Sequence, residues 1–170
     1  MKLVSFYCDP IGDNFYSNCA KILESKCKKL SIDYVIRKEN FGKDWIDNVR
    51  AKPTFLLKMI DELKEDFIWI DIDCDIQKKV DFQISSDWLV DFRSDSSPHD
   101  YVHCIRYSEK SIAFLKRWIK LIEENKKGSH SAFIEIYKSI NIGKIPEGYF
   151  SLGLSPVSSK KNYFKNGKKI

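Results

Sequence analysis

Four consecutive large apolar residues, Phe67-Ile68-Trp69-Ile70, run directly into three acids at every second position, Asp71-Ile72-Asp73-Cys74-Asp75. A strand with one wet face alternates apolar and polar residues. A strand apolar at every position must be covered on both faces, as in the centre of a parallel sheet. The preceding chain suits that reading. Residues 3–8 predict a short buried strand, ending in the turn-rich Asp9-Pro10-Ile11-Gly12-Asp13-Asn14. Tyr16, Cys19, Ala20, Leu23, Cys27 and Leu30 recur at steps of three and four, one stripe of a helix. Residues 33–37 predict a second strand, and Pro53 opens a second helix striped by Leu56, Met59, Ile60 and Leu63. Strand, helix, strand, helix, strand is the order of a parallel α/β sheet, whose right-handed crossovers are expected to put both helices on one face.

Beyond residue 75 the pattern is less regular. Short strands are predicted at 81–84 and 88–90, a loop at 94–99 and a strand at 101–105. A helix over 109–125 is capped by Ser108, lined by Ile112, Leu115, Trp118, Ile119 and Ile122, and stopped by Lys126-Lys127-Gly128. Phe133, Ile136, Tyr137 and Ile140 predict a last short helix, followed by loop and one further strand. With 43% apolar and 14% aromatic residues, 170 residues can bury one substantial core. A single domain over 1–158 and a basic tail over 159–170 are expected.

The charge is informative once it is located. Lys160, Lys161, Lys165, Lys168 and Lys169 account for the whole excess of 29 basic over 24 acidic side chains, so residues 1–159 are neutral. A neutral body lacks the basic face of a nucleic-acid-binding domain. The tail either aids solubility or touches a phosphate or an anionic surface. Five cysteines, at 8, 19, 27, 74 and 104, form no CxxC pair, which points to a reducing, cytoplasmic setting. No apolar run approaches the roughly 18 residues of a membrane span, and the N-terminus turns polar too early for a secretory signal.

The acids carry the chemistry. In an extended segment residues two apart point the same way, so Asp71, Asp73 and Asp75 are expected to share a side. Three such anions repel unless a cation joins them. Hard divalent ions such as Mg²⁺ or Mn²⁺ take oxygen ligands and complete their shell with water and phosphate. In α/β sheets, ligands collect at the carboxyl ends of strands. A metal–phosphate site is one reading, and a solvated turn whose acids cap a helix is the other.

Lys52-Pro53-Thr54-Phe55-Leu56-Leu57, then Ile68-Trp69-Ile70-Asp71-Ile72-Asp73, then Ile105-Arg106-Tyr107 before Phe114-Leu115-Lys116-Arg117-Trp118, resembles the nucleotide-sugar glycosyltransferases of the GT-A fold over roughly residues 1–125. The resemblance implies a three-layer, Rossmann-like α/β domain with a mixed, mainly parallel sheet flanked by helices. It implies a Mn²⁺ or Mg²⁺ ion held by Asp71, Asp73 and Asp75 against a nucleoside-diphosphate sugar, a UDP-sugar by default. Tyr7, Cys8 and Asp9 would hold the nucleoside, though Asp9-Pro10 also reads as a turn and Tyr7 as core. Lys52 would reach a phosphate or the base, or else stand exposed at a helix start. His130 occupies a position where such enzymes carry an acid, and is the candidate base or third metal ligand. Lys160 and Lys161 would close over the diphosphate. The acceptor would be a glycan, a lipid-linked molecule or a protein.

Two other readings are considered. A shortened domain of this kind would bind a nucleotide or a partner without turnover. A HAD-type phosphohydrolase also places D-x-D after an apolar strand, but it wants Thr where Asp75 stands. P-loop, Rossmann glycine, nucleophile-elbow and HExxH signatures are all absent from the sequence.

Overall fold

A computed structural model describes residues 1–9, 14–42, 45–92 and 97–152, together with two short strands at 164–165 and 168–169. Strand β1 (Lys2–Tyr7) leads through helix α1 (Phe15–Lys29) to β2 (Tyr34–Lys38). Helices α2 (Trp45–Arg50) and α3 (Lys52–Leu63) lead to β3 (Phe67–Ile70) and the short β4 (Asp75–Ile76). Strands β5 (Trp88–Phe92) and β6 (Pro98–Ile105) precede helices α4 (Glu109–Asn125) and α5 (Ser129–Ile136). Beyond the 3-10 turn Tyr137–Ser139 come β7 (Ile142–Lys144), β8 (Phe150–Ser151), β9 (Phe164–Lys165) and β10 (Lys168–Lys169).

Six strands form one sheet in the order β2-β1-β3-β6-β5-β7. All run one way except β6, which is antiparallel to both β3 and β5. The sheet is therefore mixed and mainly parallel, with helices on both sides, as the sequence leads one to expect.

Alternation along β3 explains its continuous apolar run. Ile68 and Ile70 join Leu3, Leu89 and Cys104 under α1, whose Cys19, Ala20, Leu23 and Cys27 face them. Phe67 and Trp69 join Val4, Val90 and Ile105 under α3, α4 and α5, which contribute Met59, Trp118 and Phe133 among others. Each such fully buried side chain is worth about 1.5–3 kcal/mol relative to exposure.

The expectation that both early helices share a face is thereby corrected: α1 and α3 cover opposite faces. The reason lies in the strand order. From β1 the chain steps outward to β2, then returns past β1 to β3 on the other side. Crossovers of one hand that move in opposite directions land on opposite faces. Strand order thus reverses between β1 and β3, and doubly wound sheets bind ligands at the carboxyl ends of strands at such a reversal.

Local signals account for several element ends. Helix α4 begins where Ser108 Oγ accepts from the Ser111 N–H at 3.1 Å, and it ends at Lys126, whose φ is 49°. Several features differ from expectation, among them the start of β6 at Pro98, inside the stretch expected to be loop. Helix α2 occupies a stretch between the predicted second strand and second helix for which no element was expected. Residues 81–84 form no strand, because Phe82 packs its ring 4.8 Å from that of Tyr149 and Ile84 buries within a loop. Finally, β8 pairs with β4, with Asp75 opposite Ser151 and Ile76 opposite Phe150, so the C-terminal segment returns beside the acidic motif.

Candidate active site

Asp71 ends β3 at the carboxyl edge of the sheet, where its backbone N–H donates to Tyr101 O of β6 at 2.8 Å. The chain turns at once: Cys74 N–H donates to Asp71 O at 2.9 Å. That turn breaks the alternation on which a shared side for three acids depends. Asp75, 3% exposed, is ion-paired instead with Lys26 of α1 and accepts from Gln77 Nε2 at 2.9 Å. Asp71 pairs with α3 and Asp75 with α1, and those helices cover opposite faces. Asp71 and Asp73 remain together, close enough that the Asp73 charge disfavours ionisation of Asp71.

Lys52 stands on the first residue of α3, with Pro53 behind it needing no N–H partner there. It is not an exposed helix-start lysine: it is 6% exposed, and its Nζ lies 2.8 Å from Asp71 Oδ1 and 3.3 Å from Asp100 Oδ1. The ammonium also donates to the Asp100 carbonyl oxygen and lies 5.7 Å from the Trp69 ring centroid. Trp69 Nε1 donates to the same Asp71 oxygen at 3.0 Å.

The opening residues of β6 bring a second acid to this edge. Asp100 Oδ1 is 2.8 Å from His103 Nε2, and Asp100 Oδ2 is 4.0 Å from His130 Nδ1 at the start of α5. His103 is fully buried, with its ring among those of Trp88, Trp118 and Phe133.

These contacts set the charges. Burial by itself would lower the Lys52 pKa, but Asp100 and Asp71 outweigh it and hold the ammonium above its ordinary range. Burial pushes the Asp71 carboxyl up to about 6, against the pull of Lys52 and with the help of the Asp100 and Asp73 charges. Burial acts the same way on Asp100, yet Lys52, His103 and His130 together hold its carboxyl below the usual range. Burial keeps His103 below the ordinary histidine value.

The structure therefore brings Lys52, Asp71, Asp73 and His130 to one edge and adds Asp100 and His103, which the sequence reading missed. The signal was a charged residue followed three positions later by histidine inside a predicted strand, which periodicity alone does not distinguish from a surface position. Asp9 lies at the end of β1, where its Oδ1 accepts from the N–H groups of Tyr16 (2.8 Å) and Ser17 (3.0 Å) and so caps α1. Tyr7 packs against the core under α1, and Cys8 follows it, half-buried. Lys160 and Lys161 lie outside the described residues.

Among the described residues, no three His, Cys, Asp or Glu side chains gather as a ligand set for a metal ion. A donor pair is sufficient for one class of ion, since Mg²⁺ is commonly held by one or two carboxylates plus water and substrate phosphate. Asp71 and Asp73 are the pair at the end of β3 that such an ion would use, with Asp71 Oδ1 already held by Lys52 and Trp69, whereas Asp75 is 3% exposed and turned to Lys26 of α1.

Neither a protein-family model nor a curated protein matches the chain. Among solved structures it is similar to a glycosyltransferase involved in the glycosylation of the major capsid of PBCV-1, with a TM-score of 0.65 and 11% identity. The match covers 95% of this chain and 96% of that one. At that identity the likeness is one of fold, over nearly the whole length of both chains. Among the described residues, no helix is long and apolar enough to cross a membrane.

Proposed function

We propose that the chain is a glycosyltransferase that moves a sugar from a nucleoside-diphosphate donor to an acceptor hydroxyl. The observation that carries this reading is the position of Asp71 and Asp73 at the carboxyl end of β3, beside the point where strand order reverses. The fold likeness to a glycosyltransferase supports it, as does the sequence resemblance.

In this reading Asp71 and Asp73 hold a divalent cation, Mn²⁺ or Mg²⁺, facing the donor diphosphate. Bound there, that ion would neutralise charge building on the leaving diphosphate by Lewis-acid action. Lys52 keeps Asp71 anchored and offsets the repulsion between Asp71 and Asp100. His130, on the same edge and 41% exposed, is the candidate base for the acceptor hydroxyl. Tyr7, Cys8 and Asp9, at the end of the neighbouring β1, would border the nucleoside, with UDP the first donor nucleotide to test. Lys160 and Lys161 are assigned to the diphosphate by the sequence resemblance alone.

The test is release of nucleoside diphosphate by the full-length chain across a panel of nucleotide sugars, with and without Mn²⁺. Release from one donor that is lost in Asp73→Asn is expected. Failure of every nucleoside diphosphate to bind would overturn the reading. The pairing of Asp71 Oδ1 with both Lys52 and Trp69 favours a second reading, a nucleotide-binding module without turnover, which binding in the absence of release would identify.

A further inference from the structure

Asp100 belongs to no motif, yet it faces Lys52, His103 and His130, and its two oxygens are divided between them. Oδ1 faces inward. It takes the Nε2 contact of His103 at 2.8 Å and the Lys52 ammonium at 3.3 Å. Oδ2 faces His130, with Nδ1 at 4.0 Å.

The inward half is held in one protonation state by a residue further back. Trp88 Nε1, which can only donate, lies 3.0 Å from His103 Nδ1. Nδ1 must therefore offer a lone pair, so the proton of the neutral ring sits on Nε2 and points at Asp100 Oδ1. The Trp88, Trp118 and Phe133 rings fix the plane of that imidazole. The Asp100 carboxylate is thus gripped by a neutral donor and a buried cation. Its second oxygen lies 4.0 Å from Nδ1 of the partly exposed His130, an electrostatic contact longer than a hydrogen bond, in which the negative charge favours the proton on the facing nitrogen.

His130 is placed with equal care. Trp118 Nε1 donates to Ser129 O at 2.9 Å, which pins the backbone immediately before it, and Phe133 on the next turn packs against the His103 ring at 4.9 Å.

We propose that Asp100, backed by His103 and Trp88, is a positioning residue that holds His130 in the Nδ1–H tautomer and so presents Nε2 to the acceptor hydroxyl. The role rests on the glycosyltransferase reading. As the acceptor oxygen bonds to the anomeric carbon, its proton passes to His130 Nε2. The bond from that carbon to the diphosphate oxygen breaks, and its electron pair leaves with the nucleoside diphosphate. Asp100 stabilises the imidazolium that forms and takes no proton itself.

The test has an arm that needs no turnover. In ¹⁵N NMR of the full-length wild-type protein, the neutral His130 ring is expected in the Nδ1–H form, against the Nε2–H preference of a free imidazole. His103 is expected in the Nε2–H form. In Asp100→Asn, His130 should revert to the Nε2–H form. An Nε2–H His130 in the wild type, or the same His130 tautomer in both proteins, overturns the proposal, and the wild-type spectrum decides it even if the variant does not fold. In transfer assays, Asp100→Asn is expected to lower kcat about 100-fold with donor KM within about twofold, the scale of general base catalysis. Transferase activity absent from a wild type with the expected tautomers would remove the glycosyltransferase reading and leave the Asp100–His130 arrangement standing.

Discussion

The Lys52 ammonium sits 2.8 Å from the Asp71 carboxylate, buried at the junction of α3 and β3. One cation therefore neutralises two acids from different strands, Asp71 after β3 and Asp100 at the start of β6. A lysine at a helix start, ordinarily a solvated residue, is here a structural counter-ion.

Replacing it should show that dependence. Removing one member of a buried pair leaves the others uncompensated, which costs about 3–5 kcal/mol. Lys52→Met is expected to lose stability on that scale at pH 7. The deficit should shrink on acidification, as Asp71 and Asp100 take up the protons that replace the lost charge. Urea denaturation at several pH values measures both effects.

Asp71 yields a prediction of definite sign. Its carboxyl is pushed from the ordinary 3.8 up to about 6, chiefly by burial. The folded state therefore binds this proton more tightly than the unfolded state does. The resulting stabilisation is complete below about pH 4 and is lost as the pH rises through about 6. The stability of wild type relative to Asp71→Asn should fall between pH 4 and pH 7. His103, shifted the other way by burial, opposes this trend in each protein and cancels in the comparison. A difference that stays level or rises with pH would contradict the assignment.

Asp9 caps α1 through the Tyr16 and Ser17 N–H groups. Asp9→Ala should therefore cost about 1 kcal/mol of stability, as the loss of a helix N-cap does. Thermal unfolding without any nucleotide present measures this, separately from any effect on nucleoside binding.

The sequence made β3 and its acids legible because a run buried on both faces has no other sensible place in a sheet. It also made α4 legible to both ends, since Ser108, a stripe at helical spacing and Lys126-Lys127-Gly128 agree. The placement of α1 and α3 on opposite faces was not legible. It follows from β3 settling on the far side of β1, and pairing order leaves no trace in local periodicity. The turn at Asp71–Cys74 was hidden by the same alternation that made three acids look equivalent, and only the pairing of Asp75 with Lys26 separates them. Asp100 and His103 escaped notice because their partners lie far along the chain. Lys52 is 48 residues from Asp100 and Trp88 is 15 from His103, spacings that no motif encodes.

The claim that Asp71 and Asp73 form the cation and diphosphate site is most directly tested with crystals of the full-length protein soaked in Mn²⁺ and UDP, read by anomalous scattering. A manganese peak at the Asp73 carboxylate, shared with Asp71 and with the diphosphate beyond it at the end of β3, is the expected result. Manganese bound elsewhere with UDP, or UDP bound away from the carboxyl ends of β1 and β3, would contradict it.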